Sequence, residues 1–131
     1  MEEKVIHKAI RHLKKDVKMN ALILKYDKPK FHQSSNYFYE LSKYIIFQQL
    51  SGKSASAIHN RFLIVFNNKP NPKEILQTKN ILLNRIGLSK QKIDYLKQLS
   101  EYFLKEGSVV DFELLNDMQV YDELIQIKGI G

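Results

Sequence analysis

The chain predicts an all-α protein, a bundle of about seven short helices, and three observations carry that expectation. Apolar residues recur at three- and four-residue spacing in one segment after another, as on helices that bury a single face. Between these segments stand helix caps and chain-reversing residues, among them Ser51, Asn71-Pro72, Gly87-Leu88-Ser89 and Asp111. Strand signals are thin: no alternating run or hairpin dipeptide occurs, and Val109-Val110 is too short to count.

Taken in order, residues 3–25 read as helical, with Val5, Ile6, Ala9, Ile10 and Leu13 on one face and a break near Asp16 before Leu22 to Leu24. Lys4, Lys8, Arg11, Lys14, Lys15 and Lys18 cover the other side. Pro29 makes 27–35 a loop, and Ser34 or Ser35 is placed to cap the next helix. That helix carries Phe38, Leu41, Tyr44, Ile45 and Leu50 and is the most apolar segment, expected at the centre. It ends at Phe47-Gln48-Gln49-Leu50-Ser51-Gly52, where two adjacent amides bring donors and acceptors that need partners.

Ser51 is placed to cap a helix in which Ala55, Ala57, Ile58, Phe62, Val65 and Phe66 allow close packing. Asn71-Pro72-Lys73-Glu74 offers an N-cap, proline at N1 and a carboxylate at N3, a strong helix start. Gly87 closes the helix holding Ile81 to Leu83, and Ser89 opens one with Ile93, Leu96, Leu99 and Phe103 inward and Lys90, Lys92 and Lys97 outward. Gly107 terminates it, and Asp111 caps a short helix through Leu115. Tyr121, Leu124, Ile125 and Ile127 mark a last helix, which runs into Lys128-Gly129-Ile130-Gly131. Glycines at that spacing allow positive φ and a tight hairpin whose bare N–H groups face an anion.

With 131 residues the chain is most simply one domain, 1–131, long enough for a core, and 44% hydrophobic with 27% charged residues is ordinary globular composition. No apolar run is as long as a membrane span, so no membrane is expected as a partner. The absence of cysteine excludes disulfides and thiolate-held metals and fits a reducing compartment. Charge divides sharply: residues 1–100 hold 19 Lys/Arg against 7 Asp/Glu, and residues 101–131 hold 2 against 7. A basic body points to a polyanion, with a merely solubilising lysine surface as the plain alternative.

Catalytic constellations are missing. A cysteine nucleophile is excluded, neither common glycine-rich phosphate loop occurs, and no pair of carboxylates is singled out by spacing. His7, His12, His32 and His59 are scattered, so no metal site and no cofactor is expected. Three pieces remain: Gln48-Gln49-Leu50-Ser51 at a helix junction, Ile86-Gly87-Leu88-Ser89-Lys90 with Lys92 one turn on, and Ile127-Lys128-Gly129-Ile130-Gly131. Taken singly, each reads as helix capping, an apolar plug or an ordinary helix stop.

In this order and at these separations they resemble the helix-hairpin-helix DNA glycosylases, most closely the 3-methyladenine DNA glycosylase II branch. The resemblance runs from about Asp16 to Gly131 and is densest at 45–51, 86–92 and 127–131. It implies a partner, double-stranded DNA with alkylated bases, and hydrolysis of the N-glycosidic bond after the base is flipped out. By the same resemblance Gln48 and Gln49 plug the emptied stack and Leu88 is a second wedge. Lys128, Gly129 and Gly131 form the phosphate-gripping hairpin, while Ser51, Ser89, Lys90 and Lys92 face the DNA backbone. Lys128 stands where the wider superfamily often has proline. Tyr37, Tyr39 and Tyr44 are candidates to stack on a cationic base, although tyrosines at helical spacing are ordinarily core.

In this family the aspartate that stabilises the sugar cation lies past the hairpin, and no residue up to Gly131 receives that assignment. The expectations are therefore no catalytic residue here and negligible base excision by this chain alone. Apolar faces on residues 5–24 are expected to lack cover and favour self-association. The compartment implied is the cytoplasm, at the nucleoid, or the nucleus of a eukaryote. A rival of another class is a non-catalytic helical DNA-binding module, and a third is a helical protein-interaction domain.

Overall fold

A computed structural model describes residues 3–131, and all of its regular structure is helical. The chain divides into two compact units, Met1–Ser35 and Asn36–Gly131. In the first, α1 (Glu3–Leu13) and α2 (Val17–Lys25) pack on one another across the break expected at Asp16. Asp16 makes that break by accepting the N–H of Met19 at 2.9 Å, an N-cap. Residues 27–35 contain no helix, and Lys28 Nζ ties this loop to α1 through Glu3 Oε1 at 3.5 Å and His7 Nε2 at 2.9 Å. Ile6 is buried, whereas Val5, Leu13, Val17, Leu22 and Leu24 are exposed, Val17 by 86%.

The second unit holds α3 (Tyr37–Phe47), α4 (Gly52–Val65), α5 (Pro72–Gln77), α6 (Asn80–Arg85), α7 (Lys90–Leu104) and α8 (Asp117–Leu124). Two 3-10 turns, Glu106–Val109 and Phe112–Leu114, join α7 to α8. There are eight α-helices among the described residues: 3–25 divides at Asp16, the short helix expected through Leu115 is a 3-10 turn, and 72–85 folds as two. Thr78 ends the first: its hydroxyl donates to Glu74 O at 2.7 Å and its backbone turns extended.

The central element is α7 rather than α3. It packs on α3, α5 and α6 and buries Ile93, Leu96 and Leu99 as its pattern predicts. Against it lie Ile45 and Ile46 of α3, Phe62 of α4, Ile75 of α5 and Leu83 of α6, all fully buried. Each such side chain contributes about 1.5–3 kcal/mol when removed from water. Asn71, Ser89 and Asp111 cap as expected, but α3 is capped by Asn36, which accepts from Tyr39 N at 3.0 Å, and not by Ser34 or Ser35.

Four expectations are corrected by packing. Tyr44 and Leu50 are 50% and 39% exposed, because the buried stripe of α3 runs through Phe38, Ser42, Ile45 and Ile46. Ala57 and Val65 of α4 are exposed for the same reason, since its buried stripe is Ala55, His59 and Phe62. Lys97 does not face out: its ammonium donates to Thr78 O at 3.0 Å, at the carbonyl end of α5. Gly107 does not terminate α7, which ends at Leu104; it lies in the 3-10 turn that follows and serves close approach, for a Cβ there would lie 2.5 Å from the ring of Tyr102. That ring's hydroxyl donates to Glu123 at 2.6 Å and ties α7 to α8, and burial, then this bond, push its pKa up. His59 is a core residue between the rings of Tyr39 and Phe47, each at 5.8 Å, and burial lowers its pKa.

Candidate nucleic-acid interface

Helix α3 leaves its last turn at Gln48, which is extended (φ −53°, ψ 133°), and Gln49 then takes φ +55°. Left-handed backbone is costly for a residue with a Cβ, so this turn persists only where its surroundings fix it. Ser51 follows as the N-cap of α4, accepting from Ser54 N at 3.3 Å. The side chain of Gln48 is half-buried and donates from Nε2 to Gly129 O at 2.8 Å, while that of Gln49 is exposed. One bond thus joins the end of α3 to the terminal hairpin, 81 residues away.

The hairpin turns at Gly129, φ +94°, on the face of Tyr95. A Cβ at 129 would fall 2.4 Å from two ring carbons, so both conformation and space demand glycine. Ile127 anchors the turn in the core and Ile130 N–H closes it on Ile127 O at 3.0 Å. Among the described residues, the N–H groups of Lys128, Gly129 and Gly131 donate to no protein acceptor. Lys128 is exposed and pairs with Asp94 at 3.4 Å. A hydrogen bond from Gln98, seconded by Lys128, holds the Asp94 carboxyl below the usual carboxylate range.

Between the two turns lies an open groove of about 580 Å³, lined by Tyr44, Gln48, Gln49, Gln91, Lys92, Tyr95 and the backbone of Gly129 to Gly131. The structure brings Gln48 and Gln49 together with Gly129 and Gly131 on one groove. Glutamine amides carry donors and acceptors for base edges, tyrosine rings stack, and free backbone N–H groups receive phosphate oxygens. Tyr44, exposed on this groove, is its accessible ring; Tyr37 and Tyr39 are half-buried on other contacts.

Two assignments are overturned. Leu88 is no wedge: it is 1% exposed, a plug in the core, with its N–H on Leu83 O at 3.3 Å and its carbonyl on Asn84 Nδ2 at 3.2 Å. The turn at Gly87, φ +103°, swings it inward. Lys92 is not presented to a DNA backbone, since its ammonium donates to Ile46 O and to Gln48 O at 2.8 Å, and burial lowers its pKa. Ser89 caps α7 at Lys92 N, 3.2 Å, and Lys90 is exposed at that helix start, over a separate hollow. Sequence reading missed Gln91 and Tyr95; a tyrosine on the α7 face between Leu96 and Gln91 carries no local mark of a hairpin partner. Among the described residues no cluster of His, Asp or Glu could hold a metal ion, and no helix is long and apolar enough to cross a membrane.

The described unit is thus an all-helical one in which a glycine turn is bonded to a glutamine-bearing helix junction. The chain belongs to the HhH-GPD superfamily of base excision DNA repair proteins, whose family model matches residues 43–126. It is 36% identical over 96 residues to DNA-3-methyladenine glycosylase 1 of Schizosaccharomyces pombe, covering 70% of this chain and 42% of that protein. It is 32% identical over 108 residues to the DNA-3-methyladenine glycosylase of Saccharomyces cerevisiae, 73% of this chain and 36% of that one. Among solved structures, the S. pombe 3-methyladenine DNA glycosylase in complex with abasic DNA matches with a TM-score of 0.79 and 32% identity over 95% of this chain and 64% of that one. A DNA-3-methyladenine glycosidase from Bacillus halodurans matches with 0.71 and 29% over 96% and 58%. The chain thus spans about two fifths of the lengths of these curated relatives.

Proposed function

We propose that this chain supplies the DNA-gripping, base-displacing face of an enzyme that hydrolyses the N-glycosidic bond of alkylated bases such as 3-methyladenine. The observation that carries the reading is the Gln48–Gly129 hydrogen bond, which sets the exposed Gln49 and the open hairpin amides on one groove. Unstacking a base costs a few kcal/mol, about what an inserted amide and several phosphate contacts can offset. In this reading Gln49 enters the emptied stack, Gln48 sets the groove's width, and Lys128, Gly129 and Gly131 hold a phosphate. Ser51, Ser89 and Lys90 contact the backbone on either side. The work is done at the nucleoid or in the nucleus, wherever the cell keeps its DNA.

Among the described residues, the side chains lining the groove are amides, tyrosine rings, an ammonium and an aliphatic group, with no Asp or Glu to support a developing sugar cation. The 131-residue chain is therefore expected to bind a duplex with an abasic site more tightly than an intact one, with affinity falling steeply as salt rises, and to release negligible 3-methyladenine. Binding by fluorescence anisotropy across a salt series, together with a base-release assay, tests this. Equal affinity for the two duplexes, or none at low salt, refutes the DNA role; base release at the rate of a full-length relative refutes the division of labour.

A further inference from the structure

A lysine in the first turn of a helix opposes the positive end of that helix's dipole. Lys92 is the third residue of α7 and stands in that unfavourable place, its own N–H taken by Ser89 Oγ. Its side chain leaves α7 altogether. The ammonium reaches the carbonyl end of α3, where Ile46 O and Gln48 O accept from it. Those carbonyls are among the orphans of a helix terminus and carry its partial negative charge, so the cation is better placed there than over its own helix.

The consequence falls on Gln48. Its main-chain oxygen is held by Lys92 and its side-chain amide by Gly129 O, so the residue is fixed at both ends. Gln49, directly after it, is then carried at φ +55° with its side chain free on the groove. Without the bond to Gln48 O, the peptide between residues 48 and 49 loses the partner that selects this orientation. Two of the ammonium's three N–H donors are engaged by these carbonyls, which fixes its place at the end of α3 whatever the third one meets.

We propose that Lys92 is a positioning residue for base displacement, its bonds to Ile46 O and Gln48 O holding the 48–49 turn in the shape that aims Gln49 into the duplex. This rests on the function proposed above. A positioning role acts through Gln49, whereas a phosphate contact acts independently of it, and a double-mutant cycle separates the two.

The experiment compares wild type, Lys92→Met, Gln49→Ala and the double variant as 131-residue chains, reading affinity for abasic and intact duplexes over a salt series. It adds backbone hydrogen exchange on the free proteins. Lys92→Met, similar in length and neutral, is expected to lower the preference for the abasic duplex about tenfold with the salt slope unchanged. Gln49→Ala should lower it equally, and the double variant no further. Exchange should quicken at the bonded N–H groups of the two turns, Gln48, Leu50 and Ile130, and nowhere else. A salt slope reduced by about one with both duplexes weakened alike marks a phosphate contact and overturns the proposal, as do additive losses. Exchange that stays protected in Lys92→Met overturns the Lys92 role alone, while a wild-type chain without abasic preference overturns the function above and the displacement role with it. If the Met variant does not fold, Lys92→Gln, too short to reach both carbonyls, runs the same cycle.

Discussion

Gly87 follows α6 and Gly129 follows α8, with φ of +103° and +94°, and each is succeeded by an aliphatic residue. At Gly87 the turn is sealed. Its N–H goes to Asn84 O at 2.9 Å, that of Leu88 goes to Leu83 O, Arg61 Nε donates to Ile86 O at 2.8 Å, and Leu88 fills the core. At Gly129 the carbonyl is taken by Gln48, but three hairpin N–H groups stay available and Ile130 is half-buried at the groove. A glycine followed by an aliphatic residue thus specifies a backbone bend and nothing more. Whether the bend becomes a plug or a ligand loop depends on which neighbours consume its polar groups.

The largest effect that distinguishes the two turns belongs to Leu88. Truncation in Leu88→Ala should cost about 2–5 kcal/mol in denaturant unfolding, as for a filled core site, while the folded fraction keeps its abasic-duplex preference. Unchanged stability with lost preference would restore Leu88 as a wedge. Next come the glycines. Gly129→Ala drives a Cβ into the Tyr95 ring, so affinity for the abasic duplex should drop at least roughly tenfold, beside a stability loss of about 1–2 kcal/mol from the left-handed strain. Gly87→Ala meets the end of the Arg61 side chain at 3.0 Å and Ile58 at 3.1 Å; it should lose about 1–2 kcal/mol of stability and keep its affinity. Identical outcomes at the two positions would erase the distinction. The smallest effect is at Lys128, exposed and loosely paired with Asp94. Lys128→Met should make the salt dependence shallower by about one counterion, measured as the slope of log affinity against log salt, with no measurable loss of stability.

Much of the helical frame is legible because caps are local. Asp16, Ser51, Asn71 and Ser89 each bond an N–H three residues on, and a window of four residues holds the whole interaction. The same holds for the inward stripe of α7. What escaped is set by reach across the chain. Lys92 and Lys97 pattern as solvent-facing, yet each ends on the carbonyls of another helix, 44–46 and 19 residues away. The one available hint for Lys92 was its place against the dipole of its own helix. Leu88 is buried where a wedge is expected because a wedge and a core plug share the same letters, a glycine followed by an aliphatic residue. Gln48 and the hairpin were linked only by resemblance; their bond, and the Tyr95 ring beneath Gly129, exist only once α3, α7 and the segment after α8 have come together.

The Gln48–Gly129 contact also says something about time. It closes a loop spanning 81 residues, and a contact of such sequence separation gains nothing until the intervening chain has been ordered. The α5–α7 and α3–α4 pairings, by contrast, join near neighbours in sequence. On sequence separation this contact is expected to close after the body of the bundle and to open before it, which native-state hydrogen exchange at Gln48 and Ile130 would read.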